Sequence, residues 1–287
     1  MNNIKVIFIT LFFPSVMLCG SYAQEKTDNI KQAEIDNAGL PPEIDEVPKI
    51  KPPISSEPPF IVGEELNYSL SLGFITAGKG SFVLKEDTLE NRKVFNSVIS
   101  GATSGMIDGV FKVRDVYESF FCIEDNLPLK AIRNVREGSY RFYDEQVFDQ
   151  ENNVLESQKA GKLKIPEKTL DMASVLYYLR RINFDIMKEG DIIYFDTFFS
   201  KALFPFYVIY KGKENIKISI GTFSAIKLVP VVEPGRIFKR SDGMTIWLTD
   251  DTNKIPLMIK FEVWVGAFKG ELQKYNNLKY PLTSKIK

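Results

Sequence analysis

From residue 60 onward, apolar and polar positions alternate with a period of two through most of the chain. Leu66-Asn67-Tyr68-Ser69-Leu70-Ser71-Leu72 puts every second side chain on one face, the pattern of a half-buried strand. The glycine-rich stretch Gly73 to Gly80 then leads into Ser81-Phe82-Val83-Leu84, which predicts a hairpin. Further strands are predicted at Val94–Ser100, Phe111–Ile123, Leu129–Val135, Tyr140–Phe148 and Val154–Leu163. After residue 190 the pattern resumes at Ile192–Phe199, Phe206–Tyr210, Ile216–Ile220, Phe223–Val232, Met244–Leu248 and Pro256–Val265. Gly, Asn and Asp between closely spaced runs favour antiparallel pairing over βαβ units.

A different period interrupts the strands once. Met172, Val175, Leu176, Leu179 and Ile182 recur at helical spacing, with Thr169 or Asp171 available as an N-cap after Pro166. Arg180, Arg181 and Lys188 gather toward the C-terminal end, where the helix dipole favours cations. This predicts a helix over 169–183 whose apolar stripe lies across a sheet.

A long-range repeat adds to the picture. Phe111-Lys112, Asp115, Phe120-Phe121, an acidic turn at Glu124-Asp125-Asn126 and Leu127-Pro128-Leu129 occur in order. Phe238-Lys239, Asp242, Trp247-Leu248, Asp250-Asp251-Thr252-Asn253 and Ile255-Pro256-Leu257 repeat that order at matching offsets. Proline as first residue of a strand forfeits no ladder hydrogen bond, so both second strands can begin there. The expected fold is mainly β. It is an antiparallel curved sheet or half-barrel built from two similar units, 60–165 and 190–280, with one principal helix packed on the sheet.

The N-terminal 59 residues follow neither period. Lys5 precedes an apolar run from Val6 to Leu18, and Ser21-Tyr22-Ala23 offers small residues for cleavage before Gln24. Residues 1–23 therefore read as a signal peptide and the chain as exported to the periplasm. Cys19 allows a lipid-anchored alternative, but the bulky Leu18 stands where a lipobox expects a small residue. Residues 24–59 hold seven prolines and eight acidic against four basic residues without apolar period. They read as a disordered, extended linker, serving either as spacer or as docking peptide.

Composition excludes several chemistries. The 287 residues carry 37 basic and 37 acidic side chains, so no basic excess points to nucleic acid. No histidine is present, which removes Ser-His-Asp and Cys-His nucleophile systems and most zinc, iron and copper sites. Cys19 and Cys122 cannot form a disulfide framework, and Cys122 reads as a small buried hydrophobe. No apolar run after the leader is long enough to span a bilayer as a helix. Asp250-Asp251 with Asn253 crowds oxygen atoms, but it meets no calcium-loop spacing, and neighbouring carboxylates in a turn ordinarily shape the turn. No enzymatic activity, metal or cofactor is expected.

Five motifs carry a family resemblance. They are Gly63-Glu64-Glu65-Leu66-Asn67-Tyr68 with Ala77-Gly78; Val113-Arg114-Asp115; Glu137-Gly138; Asp171 through Arg180; and Thr245 through Asp251 with Ile255-Pro256. Together they resemble bacterial exported proteins of the family catalogued as domain of unknown function 3108, over roughly residues 60–280. The resemblance brings no catalytic residues with it. The Trp-Leu-x-Asp…Pro-Leu hairpin is more loosely similar to that of periplasmic lipoprotein carriers, whose half-barrel cups a lipid against helices.

The candidate ligand-binding residues come from strand alternation. Trp247, and Trp264 with Lys260, fall on the sheet faces opposite the aliphatic stripes of Met244–Thr249 and Leu257–Val265. They form either the floor and polar rim of a concave groove or part of a second core. Two functional expectations follow. One is a non-enzymatic binding or carrier module for a lipid, lipoprotein or glycan; the other is a structural or protein-interaction component of the cell envelope without a small ligand.

Overall fold

The computed structural model describes residues 49–199, 201–231, 243–263 and 266–287. The expected signal peptide, most of the expected linker, the Phe238-Lys239 and Asp242 positions of the repeat and Trp264 lie outside the described residues.

The period-two segments form fifteen strands. They are β1 (Lys49–Ile50), β2 (Glu65–Leu72), β3 (Ile75–Leu89), β4 (Arg92–Thr103), β5 (Arg114–Phe121), β6 (Pro128–Glu137), β7 (Tyr140–Asp149), β8 (Val154–Ser157), β9 (Gly161–Lys164), β10 (Ile192–Phe199), β11 (Ala202–Ile218), β12 (Gly221–Pro230), β13 (Met244–Thr249), β14 (Pro256–Val263) and β15 (Gly266–Asn276). They make one curved, unclosed sheet in the order β1-β10-β11-β12-β13-β14-β15-β2-β3-β4-β5-β6-β7-β8-β9. Every pairing is antiparallel except β1 with β10. The two meanders expected from sequence are thus continuous, joined where Leu272 of β15 faces Tyr68 of β2.

Several boundaries differ from the sequence reading. Phe111–Ile123 is not one strand: Gly105–Val110 forms a short helix, α1, and pairing in β5 starts at Arg114. Val154–Leu163 folds back on itself as two strands, and the separate runs at 206–210 and 216–220 belong to one strand with a bulge between Tyr210 and Lys213. β15 was not expected, because its central Gly270 interrupts the apolar alternation; a Cβ there would stand 3.3 Å from Leu70. Residues 49–59, within the expected disordered linker, instead run from the sheet edge to the end of α2 and the C-terminal segment. Lys49 and Ile50 pair with Ile192 and Ile193, Pro52 and Pro59 are buried, and Arg181 donates to the Ser55 carbonyl at 2.6 Å.

The helix expected over 169–183 is α2, Met172–Arg181. Asp171 rather than Thr169 caps it: its carboxylate accepts from the Ala173 and Ser174 amides, and the Asp171 amide in turn donates to Ser174 Oγ. α2 lies inside the concavity of the sheet, so nearly all of its circumference is covered. Val175, Leu179 and Ile182 of the expected stripe are buried with Leu66, Ile193, Leu228, Leu248 and Leu257, whereas Met172 and Leu176 are half-buried. Leu179→Ala is expected to cost about 3 kcal/mol and Leu176→Ala about 1 kcal/mol, measured by denaturant unfolding. Equal losses would contradict this placement.

Arg180 and Arg181 lie in the last turn of the helix, where the dipole favours cations, and both are buried. Arg180 meets the Glu64 carboxylate in a two-pronged pair at 2.5 and 2.7 Å, and its Nε donates to the Asn253 carbonyl. Arg181 donates to carbonyls of Ser55, Ser56, Ile123 and Glu124. The repeated acidic turns therefore hold α2 between them. The repeat itself extends to backbone detail: Phe121 faces Pro128 and Leu248 faces Pro256, each just after a register shift of the ladder.

Candidate functional site: an open rim and a buried polar pocket

In an antiparallel meander, successive connections alternate between two rims of the sheet. One rim carries the β5–β6 and β13–β14 turns and is closed by α2 and the C-terminal segment. Asn126 Nδ2 donates to the Ser174 carbonyl, Asn253 Nδ2 to the Tyr280 carbonyl, and Ser284 Oγ to Asp251. Asp250 and Asp251 belong to this closure. Asp250 pairs with Lys213 at 2.8 Å, and Asp251 accepts from Thr249, Ser284 and the Asn253 amide.

The opposite rim carries the β2–β3, β4–β5, β6–β7 and β10–β11 connections, and apolar side chains point outward there. Phe74 and Ile75 are exposed at the β2–β3 tip, Leu203 and Phe204 near the β10–β11 tip, and Tyr140 after the β6–β7 turn. Met106 and Val110 of α1 are 87% and 78% exposed. α1 buries none of its residues, so polar contacts fix it: Arg114 and Thr103 each meet Asp108 at 2.6 Å and hold its carboxyl low, at about 2. A short helix pinned by its polar side presents methionine and valine to solvent.

Just inside this rim, β5 and β6 bring polar residues onto the inner face. Tyr117 stands opposite Arg133 in the ladder, with Asp115 and Glu137 beside them on the same face. Asp115, Arg133 and Glu137 are buried and Tyr117 is half-buried, and among the described residues the Asp115 Oδ2 and both Glu137 carboxyl oxygens meet no donor. Burial, then the neighbouring Asp115, pushes Glu137 up to about 8; burial also raises Asp115 to about 6. Two adjacent carboxyls without donors are satisfied when one proton is shared between them. Gly138 holds φ +55° under the Phe111 ring, with a Cβ position 2.7 Å from that ring, so the turn that places Glu137 needs glycine.

Arg133 is 4% exposed, and among the described residues none of its side-chain nitrogens meets a partner at hydrogen-bonding geometry, although the Tyr117 hydroxyl, itself without a partner, is close enough to interact with it. Its guanidinium carbon lies 4.6 Å from the Phe142 ring centre, 4.7 Å from that of Phe199 and 5.8 Å from that of Tyr117. It borders a cleft of about 30 Å³ lined also by Ala131, Gln146, Met172 and Phe199. Sequence reading missed this residue, because an arginine within Leu129–Val135 carries no signal of which strand face is enclosed.

Of the residues named from sequence, Trp247 and Lys260 do share the outward face of β13 and β14: Thr245 pairs with Lys260 and Trp247 with Met258. Trp247 is 7% exposed, donates Nε1–H to Glu214 at 2.7 Å and lies under Lys227, 5.9 Å from its ring centre. Lys260 pairs with Glu262 at 3.1 Å. Cys122 is buried beside Arg92 and Glu124, and burial followed by the Glu124 carboxylate raises its thiol to about 11. Among the described residues no helix is long and apolar enough to cross a membrane.

The fold defines a barrel-like class, an unclosed antiparallel meander wrapped around one helix. A β-barrel-like protein of the domain of unknown function DUF1849 from Brucella abortus shares it. Its TM-score is 0.51 at 10% identity, with 77% of this chain and 99% of that chain covered. A duf1089 family protein from Pseudomonas aeruginosa aligns at TM-score 0.22 and 8% identity, over 75% of this chain and 92% of that one. That score carries no structural argument. No curated protein matches. The chain belongs to the family described as "Protein of unknown function (DUF3108)", whose model matches residues 67–273.

The family motifs become contacts in the fold. Glu64 of the first meets Arg180 of the helical motif, and Asn253, just beyond the Trp247 motif, meets Arg180 as well. Asp115 and Glu137, from two others, form the carboxyl pair.

Proposed function

We propose that this protein is an exported, non-enzymatic binding or carrier module of the cell envelope that takes up an acyl-bearing ligand at its open rim. The leader pattern at residues 1–23 supports a periplasmic location. The observation that carries the binding reading is the gathering of exposed Phe74, Ile75, Met106, Val110, Leu203 and Phe204 on one rim. The opposite rim is sealed by α2 and the C-terminal segment. Exposed apolar groups collected in this way mark an interaction surface. Of the lipid, lipoprotein and glycan ligands expected from sequence, such a rim favours an acyl chain. The envelope-scaffold alternative has less support, since among the described residues the edge strands β1 and β9 offer two and four residues for pairing.

Native mass spectrometry of the full chain from an exporting host tests the reading. The wild type should retain an acyl ligand, and a Phe74→Glu/Met106→Glu variant should lose it with little change in melting temperature. A clean apo mass with a co-purified protein would favour the scaffold instead.

A further inference from the structure

Among the described residues just inside the open rim, Arg133 is the cationic side chain whose surroundings are built yet incomplete: its three nitrogens lack hydrogen-bond partners, as do the Tyr117 hydroxyl and the Asp115–Glu137 carboxyls near it. A guanidinium keeps its charge at any ordinary pH, and a buried charge with no partner is costly. The groups that could neutralise it are turned elsewhere. Asp144, its ladder partner on β7, accepts from Ser157, Gln146 and the Lys159 amide. Asp171, on the cleft wall, caps α2 and accepts from Ser119 Oγ at 2.5 Å. Asp115 and Glu137 lie within electrostatic influence but form no ion pair with Arg133 among the described residues. The rings of Phe142 and Phe199 fix the guanidinium plane without satisfying its N–H groups.

We propose that Arg133 receives the carboxylate head of an alkyl carboxylate, whose chain leaves the cleft over Phe199 toward the apolar rim. The proposal rests on the rim's being an acyl-binding surface and adds the head-group chemistry. A carboxylate matches the guanidinium fork with two parallel hydrogen bonds. A cleft of about 30 Å³ admits roughly two water-sized groups, the number of oxygens a carboxylate presents. That fits a flat carboxylate better than a tetrahedral phosphate. Ala131, Met172 and Phe199 leave its walls apolar beyond the head.

The test is calorimetric titration of the full chain with laurate below its micelle concentration, with dodecanol and inorganic phosphate in parallel. Laurate should bind the wild type at least tenfold more tightly than dodecanol does. Arg133→Met should remove that preference while leaving melting temperature unchanged or raised, because it deletes an unpartnered buried charge. A purely structural arginine would instead lower the melting temperature on this change. Arg133→Lys, which keeps the charge without the fork, should bind laurate at least threefold more weakly than the wild type and serves if the methionine variant does not fold. Equal binding of laurate and dodecanol would overturn the head-group assignment but leave the rim reading standing. Binding of neither alkyl ligand would overturn both. Arg133-dependent binding of phosphate without laurate would overturn the alkyl carboxylate.

Discussion

Arg180→Ala should destabilise the protein by about 3–5 kcal/mol, and Glu64→Ala by a similar amount. Each change strands the partner's charge in a site that is 1% exposed, and an uncompensated buried charge is among the costliest defects a fold can carry. Arg180 also supplies Nε–H to the Asn253 carbonyl and lies under the rings of Phe60 and Tyr177, at 5.0 and 5.4 Å. Its loss therefore loosens β2, α2 and the β13–β14 turn together. The double change Glu64→Leu/Arg180→Met should cost far less than either alanine variant, because it removes both charges and keeps the volume. Denaturant unfolding of the three variants checks the ordering. A double variant as unstable as the sum of the single changes would show that the pair's hydrogen bonds, rather than its unpaired charges, dominate.

The second large effect is a dependence on pH centred on Glu137. Its folded-state proton affinity is raised, mainly by burial, from 4.5 to about 8. A raised carboxyl stabilises the native state fully below its unfolded value and loses that contribution as pH rises through its folded value. Between about pH 4.5 and 8, Glu137 alone gives the native chain one more proton than the unfolded chain holds. Stability should then fall by about 1.4 kcal/mol per pH unit in that window. Asp115, raised to about 6, adds a loss of the same sign at the acidic end. Glu137→Gln mimics the protonated acid. It should flatten the profile and gain about 2–4 kcal/mol over the wild type at pH 8. Melting curves from pH 5 to pH 8 decide the matter. A wild-type melting temperature that rises with pH across this range would contradict a proton shared between Glu137 and Asp115.

Much of the fold could be read from alternation, because a curved sheet with one enclosed face imposes a strict period of two. Leu66 to Leu72, Met244 to Leu248 and Pro256 onward fall on strands for that reason. Asp171 was readable as a cap from the step between Pro166 and the apolar stripe. What alternation could not convey was closure. Whether Arg180 faces water or Glu64 depends on a contact 116 residues away. The same limit hid β1: Lys49 and Ile50 pair with β10, although their proline-rich surroundings resemble a linker. β15 escaped notice because Gly270 stands where the pattern calls for an apolar side chain, and the space is filled by Leu70 from the neighbouring strand.

The site was less legible than the fold. Tryptophan on the outward face of β13 drew attention as a large apolar group, but its ring is roofed by Lys227 and its N–H is bound by Glu214. Alternation assigns a face without saying what covers it. The rim residues were invisible for the converse reason: Phe74, Met106 and Phe204 sit in or beside connections, where no period marks them. Only the strand order brings them to one side.

Labelling the full chain with a photoreactive fatty acid, followed by peptide mapping of the adducts, tests the open-rim account most directly. Adducts should fall within 73–75, 105–110 and 203–204. Labelling confined to the face of Trp247 and Lys260, or absent altogether, would contradict it.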